Sequence, residues 1–95
     1  MELEERIRKA IQQIAQNRSN VTMGEIEWVM EKLGQSYNTR RRPARHGVLF
    51  GIENHRFMVN EHNPGNKQVK SYSVDAFIDV MEQLGWYEEE KPKNE

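Results

Sequence analysis

The sequence contains no cysteine, which excludes disulfide frameworks, thiolate metal sites and cysteine nucleophiles. It also lacks any apolar run close to the roughly 20 residues that a membrane-spanning helix needs. The first residues include Glu2, Glu4 and Glu5, whereas a signal peptide begins with basic side chains. These absences predict a cytoplasmic protein with no membrane partner.

Two common kinds of functional motif are missing as well. The three histidines are not spaced as a helical metal-binding pair, so we expect neither a metal nor a cofactor. The segment Asn63-Pro64-Gly65-Asn66 lacks the glycine spacing of a phosphate-binding loop and is typical of a turn. A function for this chain must therefore be sought in its charged side chains and its histidines.

The chain has 95 residues, of which 36% are hydrophobic, and its net charge is −1. This length supports one modest core, because a second domain would have too little apolar surface to bury. We therefore predict a single domain over 1–95. It comprises an amino-terminal helical extension at 1–19, a core at 20–87 and an acidic tail at 88–95.

Helices are predicted near both ends of the chain. Apolar residues recur at helical spacing over 2–16. Thr22-Met23-Gly24-Glu25 has the pattern of a capping box, so a second helix begins there, and Gly34 is expected to end it in the left-handed conformation. The last helix is predicted to be capped by Ser73 and to end at Gly85.

Three strands are predicted between these helices, at 35–42, 48–52 and 56–60. Glu53-Asn54 would form a tight hairpin turn, with asparagine accepting a positive φ. That turn places Phe50 opposite Phe57 and His46 opposite Glu61. The sequence thus predicts an α+β fold, a three-stranded antiparallel sheet with helices on one face, in the order α-α-β-β-β-α.

A basic segment precedes the second predicted strand, and it is unusual in a chain of negative net charge. Guanidinium groups bind phosphate through forked, charge-assisted hydrogen bonds, so we expect these side chains to converge near His46 and to bind RNA. A solvated strand edge is the alternative. The candidate RNA-binding residues, including a second basic cluster before the last helix, are Arg40, Arg41, Arg42, Arg45, Lys67 and Lys70.

His46 is the candidate catalytic residue. An imidazole can act as a general acid or base on RNA. Glu61 is a possible partner that would hold the ring in one tautomer. Alternatively, His46 is a strand-start residue bonded to a loop carbonyl, and we interpret His55 and His62 as solvent-exposed side chains near turns.

The order of helix, three strands and helix over 22–87 resembles the HicA family of toxin–antitoxin mRNA interferases, which share the double-stranded RNA-binding-domain fold. The resemblance is carried by Asn20-Val21-Thr22 before a helix, the basic first strand, the histidine, and Lys70-Ser71-Tyr72-Ser73-Val74 at the last helix. It covers about 65 of the 95 residues.

This resemblance implies metal-independent RNA cleavage, in which His46 helps the ribose 2′-hydroxyl attack the neighbouring phosphate. It also implies neutralisation by a HicB-like antitoxin that covers the basic site. Family members show Gly-Ser-His at the catalytic position, whereas this chain has Ala44-Arg45-His46. Arg45 would either bind the scissile phosphate or keep the RNA backbone from approaching.

A second interpretation is a non-catalytic module. Such a module would bind structured RNA, or would act as a protein adaptor through Trp28, Leu49 and Met58. The first helix would serve either as a dimer surface or as a lid on the core.

Overall fold

The computed structural model describes residues 2–62 and 68–88. Within these ranges the chain forms α1 (Leu3–Gln16), a short 3₁₀ turn (Arg18–Asn20), α2 (Met23–Leu33), β1 (Thr39–Ala44), β2 (Gly47–Ile52), β3 (His55–Asn60) and α3 (Ser71–Gln83). The strands form one antiparallel sheet in the order β1-β2-β3. The predicted α+β class and the element order are confirmed.

The β2–β3 hairpin has the predicted register, with Phe50 opposite Phe57 and Val48 opposite Val59. The Phe50 and Phe57 rings stack with their centroids 5.5 Å apart, and Phe57 meets Phe77 of α3 at 5.7 Å. Side chains directly opposite each other project from the same face of a sheet. This aromatic row therefore marks the inner face, which packs against the helices.

Helix α1 is part of the core. Its residues Ile7, Ile11 and Ile14 are buried together with residues of α2, α3 and the sheet. The guanidinium of Arg8 donates a hydrogen bond to the carbonyl of Gly85 at 3.2 Å and lies 4.8 Å from the centroid of the Trp86 ring. These contacts support the interpretation of α1 as a lid.

Arg18 ties the 3₁₀ turn to α3. Its Nε donates to the Ala15 carbonyl at 2.9 Å, and its Nη1 donates to Asp75 at 2.7 Å. The hydrogen bond with Asp75 raises the pKa of Arg18 above its ordinary value. The ordinary pKa of arginine already lies far above neutral pH, so this contact is charged throughout the neutral range.

The predicted capping box is present at the start of α2. The backbone N–H of Thr22 donates to the Glu25 carboxylate at 2.8 Å, and the N–H of Glu25 donates to the Thr22 hydroxyl at 3.4 Å. Together these bonds pair backbone donors that the first turn of a helix leaves without a partner.

Three local predictions were wrong. Gly34 has a right-handed φ of −62°, and its lack of a side chain matters because a Cβ there would lie 2.9 Å from the Thr39 hydroxyl. The positive φ in the hairpin turn belongs to Glu53. Ser73 does not cap α3, since its Oγ accepts a hydrogen bond from the backbone N–H of Asn60 at 2.9 Å.

Strand β1 lies at one edge of the sheet, as predicted, but begins later than expected. The N–H groups of Gln35, Ser36 and Tyr37 donate to carbonyls at the end of α2, and this turn delays the strand until Thr39. Pro43 lies inside β1 and has no N–H to donate. Alternation along an antiparallel pair places that missing donor on the side away from β2.

Lys67, the predicted turn at 63–66 and residues 89–95 of the predicted tail lie outside the described residues. Over 2–62 and 68–88, no helix combines the length and the apolar character that crossing a bilayer requires.

Candidate nucleic-acid interface

The predicted arginine cluster is divided by the alternation of β1. Arg41 pairs with the buried Phe50 and so belongs to the inner face, whereas Arg40 pairs with Gly51 and Arg42 with Leu49 on the opposite face. Arg45 is exposed in the turn between β1 and β2. The expectation that all four guanidinium groups converge on His46 was therefore wrong, because neighbouring strand residues point in opposite directions.

Arg41 has a carboxylate partner on the helical layer. Its Nη2 forms an ion pair with Glu27 of α2, and both side chains remain partly exposed. A guanidinium already bound to a carboxylate has fewer donors left for phosphate. Arg41 is thus the least available of the predicted RNA-binding arginines.

The outer face of the sheet carries a group of arginines that we call the arginine face. Its members come from all three strands. All of them except Met58 line a depression of about 300 Å³ beside Gly51, which Arg41 and Phe50 also line. Sequence reasoning missed Arg56, although the predicted hairpin register places it opposite Gly51. The arginine face consists of Arg40, Arg42, Leu49, Gly51, Arg56 and Met58.

A second cavity, which we call the His46 pocket, lies at the other end of the sheet and has a volume of about 300 Å³. It brings together three predicted site residues, His46, Glu61 and Lys70. It also includes His62, whose side chain is exposed, as predicted, but was not assigned to a site from the sequence. The pocket is lined by His46, Asn60, Glu61, His62, Lys70 and Tyr72.

Backbone hydrogen bonds hold the walls of the His46 pocket in place. The N–H of Glu61 donates to the His46 carbonyl at 2.8 Å, and the N–H of Lys70 donates to the Asn60 carbonyl at 2.9 Å. The N–H of His62 donates to the Gln68 carbonyl at 3.0 Å. His46, His62 and Lys70 therefore extend from anchored backbone.

The predicted register, with His46 opposite Glu61, is confirmed by the backbone hydrogen bond between them. Across 2–62 and 68–88, no hydrogen bond or ion pair joins their two side chains. The His46 side chain is exposed and Glu61 is half-buried in the same pocket. The carboxylate is thus a neighbour of the imidazole, and its role in orienting the ring stays a prediction.

Tyr72 and Lys70 form the wall of the pocket at the start of α3. The Asn60 side-chain amide donates to the Tyr72 hydroxyl at 3.0 Å, and the ammonium of Lys70 lies 5.8 Å from the centroid of the Tyr72 ring. Lys70 precedes the first turn of α3, where the helix dipole adds positive potential. This wall favours an anion in the pocket.

The adaptor residues named from the sequence do not share one surface. Leu49 and Met58 belong to the arginine face. Trp28 is on α2, where Arg6 and Lys32 lie 5.8 Å and 5.7 Å from its ring. A single adaptor surface built from all three side chains is therefore excluded.

No group of three or more potential metal ligands is found in the part of the chain that the structure describes. Comparisons with protein families, with curated proteins and with solved structures find no match for this chain. The function must therefore be inferred from the chemistry of the arginine face and of the His46 pocket.

Proposed function

We propose that the chain is a HicA-like ribonuclease whose cleavage site is the His46 pocket. The observation that carries the proposal is the exposed imidazole of His46 in one pocket with the Lys70 ammonium at the start of α3. An ammonium and a helix amino terminus favour a phosphate, and an imidazole beside that phosphate can transfer protons at neutral pH.

The proposed reaction needs two proton transfers and uses side chains alone. One imidazole accepts the proton of the ribose 2′-hydroxyl as the 2′-oxygen bonds to phosphorus. The bond from phosphorus to the 5′-oxygen breaks, and that oxygen takes a proton from an imidazolium, leaving a 2′,3′-cyclic phosphate and a 5′-hydroxyl. His46 provides one of these groups, and His62 in the same pocket provides the second.

Positive charge near the pocket supports this chemistry. Lys70 lines the pocket, and Arg45 is exposed in the turn next to His46. Both can neutralise the charge that develops on the phosphate oxygens. As the HicA resemblance implies, a HicB-like antitoxin would inhibit the enzyme by covering this pocket.

The test compares His46→Ala with His55→Ala. His55 pairs with Ile52 at the opposite end of the sheet and lies outside the pocket, so it is a matched control. Cleavage of a labelled RNA is expected to fall by at least roughly 100-fold in His46→Ala and to stay within about threefold in His55→Ala. RNA binding, measured with a substrate blocked at each 2′-oxygen, should persist in both variants.

His62→Ala tests the second proton-transfer role. Its cleavage defect should largely disappear with RNA whose 5′-bridging oxygen is replaced by sulfur, because a thiolate leaves without protonation. That result assigns His62 as the general acid.

The competing function is non-catalytic RNA binding, and it is favoured by Arg45 standing where HicA-like chains have a small residue. Wild-type protein that binds RNA but gives no cleavage product would establish this alternative. Equal cleavage by wild type and His46→Ala would contradict the assignment of the pocket.

A further inference from the structure

Gly51, which has no side chain, lies at the bottom of the depression in the arginine face. A Cβ at Gly51 would lie 2.9 Å from Nη2, 3.0 Å from Nε and 3.1 Å from Cζ of Arg40, so the Arg40 guanidinium lies directly over the glycine. Nη2 of Arg40 also donates to the Glu53 carbonyl at 2.7 Å. These contacts hold the Arg40 guanidinium against the sheet, and its remaining N–H groups can still donate hydrogen bonds to a ligand.

The other two arginines of this face carry uncompensated charge. Arg42 and Arg56 form no ion pair within the described part of the chain. None of the residues of β1, β2 or β3 is acidic. Arg40, Arg42 and Arg56 therefore line one depression, together with Arg41, whose charge is paired with Glu27. An anionic ligand would relieve the repulsion among the three arginines that lack a carboxylate partner.

The chemistry of the face favours phosphates over a protein partner. Its apolar part is limited to Leu49 and to Met58, which is 38% exposed. A stable protein interface usually buries about 800 Å² on each partner around an apolar centre. Guanidinium planes, in contrast, bind phosphate oxygens and also stack on unpaired bases.

The distance between the arginine face and His46 determines how long an RNA must be to contact both. Arg40 lies four residues before Ala44, the last residue of β1, and four residues of an extended strand span about 13 Å. Between the arginines and the turn holding His46, the outer row contains only the small residues Ala44 and Gly47 together with Asn60. A stacked strand advances about 3.4 Å per phosphate, so about four nucleotides would span this distance.

We propose that the arginine face binds single-stranded RNA about four nucleotides from the bond positioned in the His46 pocket. This inference rests on the proposed function. It identifies the substrate as single-stranded RNA that extends beyond the two nucleotides joined by the cleaved bond. The exposed guanidinium groups of this face can stack on unpaired bases and bind their phosphates, whereas duplex RNA is recognised across its grooves.

Binding is measured by fluorescence anisotropy with a labelled 12-nucleotide RNA carrying 2′-O-methyl groups throughout, so that it cannot be cleaved. Arg56→Gln is expected to weaken binding about tenfold at low salt. The slope of log affinity against log salt is negative and should become less negative by about 0.7, the change expected when the protein neutralises one phosphate fewer on a single strand.

Two further variants control for charge and for shape. Lys9→Gln removes the same charge from the exposed side of α1 and should stay within about twofold of wild type. Gly51→Val fills the depression without changing the net charge and should also weaken binding. The thermal midpoint of each variant confirms that the protein is folded.

Cleavage assays give an independent readout. Arg56→Gln should raise the KM for a cleavable 12-nucleotide RNA more than it raises the KM for a dinucleotide, because a dinucleotide in the His46 pocket is too short to reach the arginine face. His46→Ala should bind the blocked RNA like wild type. If the wild-type protein cleaves no RNA but still binds it in an Arg56-dependent way, the ribonuclease proposal fails and the arginine face remains supported.

Three results overturn the inference. In the first, Arg56→Gln and Gly51→Val bind RNA like Lys9→Gln. In the second, a duplex of the same sequence binds as tightly as the single strand and loses the same affinity in Arg56→Gln. In the third, polyglutamate shifts the amide resonances of the face under conditions in which the 12-nucleotide RNA does not, which would assign the face to an acidic protein.

Discussion

Gly47 is the residue at which the sheet tolerates no side chain. A Cβ there would lie 1.9 Å from the carbonyl oxygen of Val59 and 2.9 Å from the Cα of Asn60. Both contacts are with the backbone of β3, which has no rotamer to change. The glycine therefore sets how closely β2 and β3 approach beside the turn that holds His46.

Gly47→Ala is expected to lower the free energy of unfolding by about 3 kcal/mol, at the upper end of the usual cost of overpacking. Urea denaturation followed by circular dichroism measures the change. Gly24→Ala is the control, because its Cβ would have no neighbour nearer than 4.0 Å, and alanine in a helix should stabilise by roughly 0.5–1 kcal/mol. A loss below about 1 kcal/mol in Gly47→Ala would show that β3 shifts easily.

The positions of some site side chains can be predicted from the sequence, whereas their partners on other elements cannot. Arg56 was predictable, since the register that pairs Phe50 with Phe57 also pairs Gly51 with Arg56. The pairing of Arg41 with Glu27 was not, because it depends on the tertiary placement of α2 against β1. Alternation alone predicts that Arg41 leaves the outer face, and only packing determines its partner.

At the scale of elements, helix α1 is predictable as a helix but not as a part of the core. Its apolar stripe establishes one buried side, and a dimer surface would have the same stripe. In the structure Ile11 has no exposed surface and lies in the same core as α2 and α3. The stability of the sheet layer is therefore coupled to α1.

Ile11→Ala is expected to lower the free energy of unfolding by about 2–5 kcal/mol, because it leaves a cavity in the shared core. Chemical denaturation measures this value, with Gln12→Ala as the matched control on the exposed side of the same helix. The control should change stability by no more than about 0.5 kcal/mol. Similar values for the two variants would mean that α1 is only loosely attached.

The hairpin and the start of α3 differ in how well the sequence predicts them. A tight turn fixes the pairing of β2 with β3, and a slip by one residue would expose every buried side chain of the hairpin. The predicted cap at Ser73 failed because its hydroxyl binds the Asn60 N–H in β3 instead. Such competition between a local cap and a distant backbone donor has no signal in the local sequence.

At the scale of the whole molecule, one core joins α1, both later helices and the inner face of the sheet. The two tryptophans report on different parts of it. Trp28 lies on α2, and Trp86 follows α3 and donates from Nε1 to the Tyr37 hydroxyl at 2.8 Å. A shared core predicts that both regions unfold together.

Single-tryptophan variants test this cooperativity. In Trp86→Phe the fluorescence of Trp28 should follow the same urea transition as circular dichroism, and in Trp28→Phe the fluorescence of Trp86 should do so. Comparing two probes within each variant removes the effect of the substitution itself. An earlier fluorescence transition in either variant would reveal a separately unfolding part.

Pro43 at the open edge of β1 has a consequence for crowded solutions. If the β1 strand of a second copy paired with this edge, the N–H that Pro43 lacks would leave one hydrogen bond unmade. Arg40 and Arg42 of the two copies would also repel each other. Growth of the sheet into fibrils is therefore opposed at β1 by the same segment that supplies the cations. The exposed, strongly basic edge strand is therefore not expected to promote aggregation.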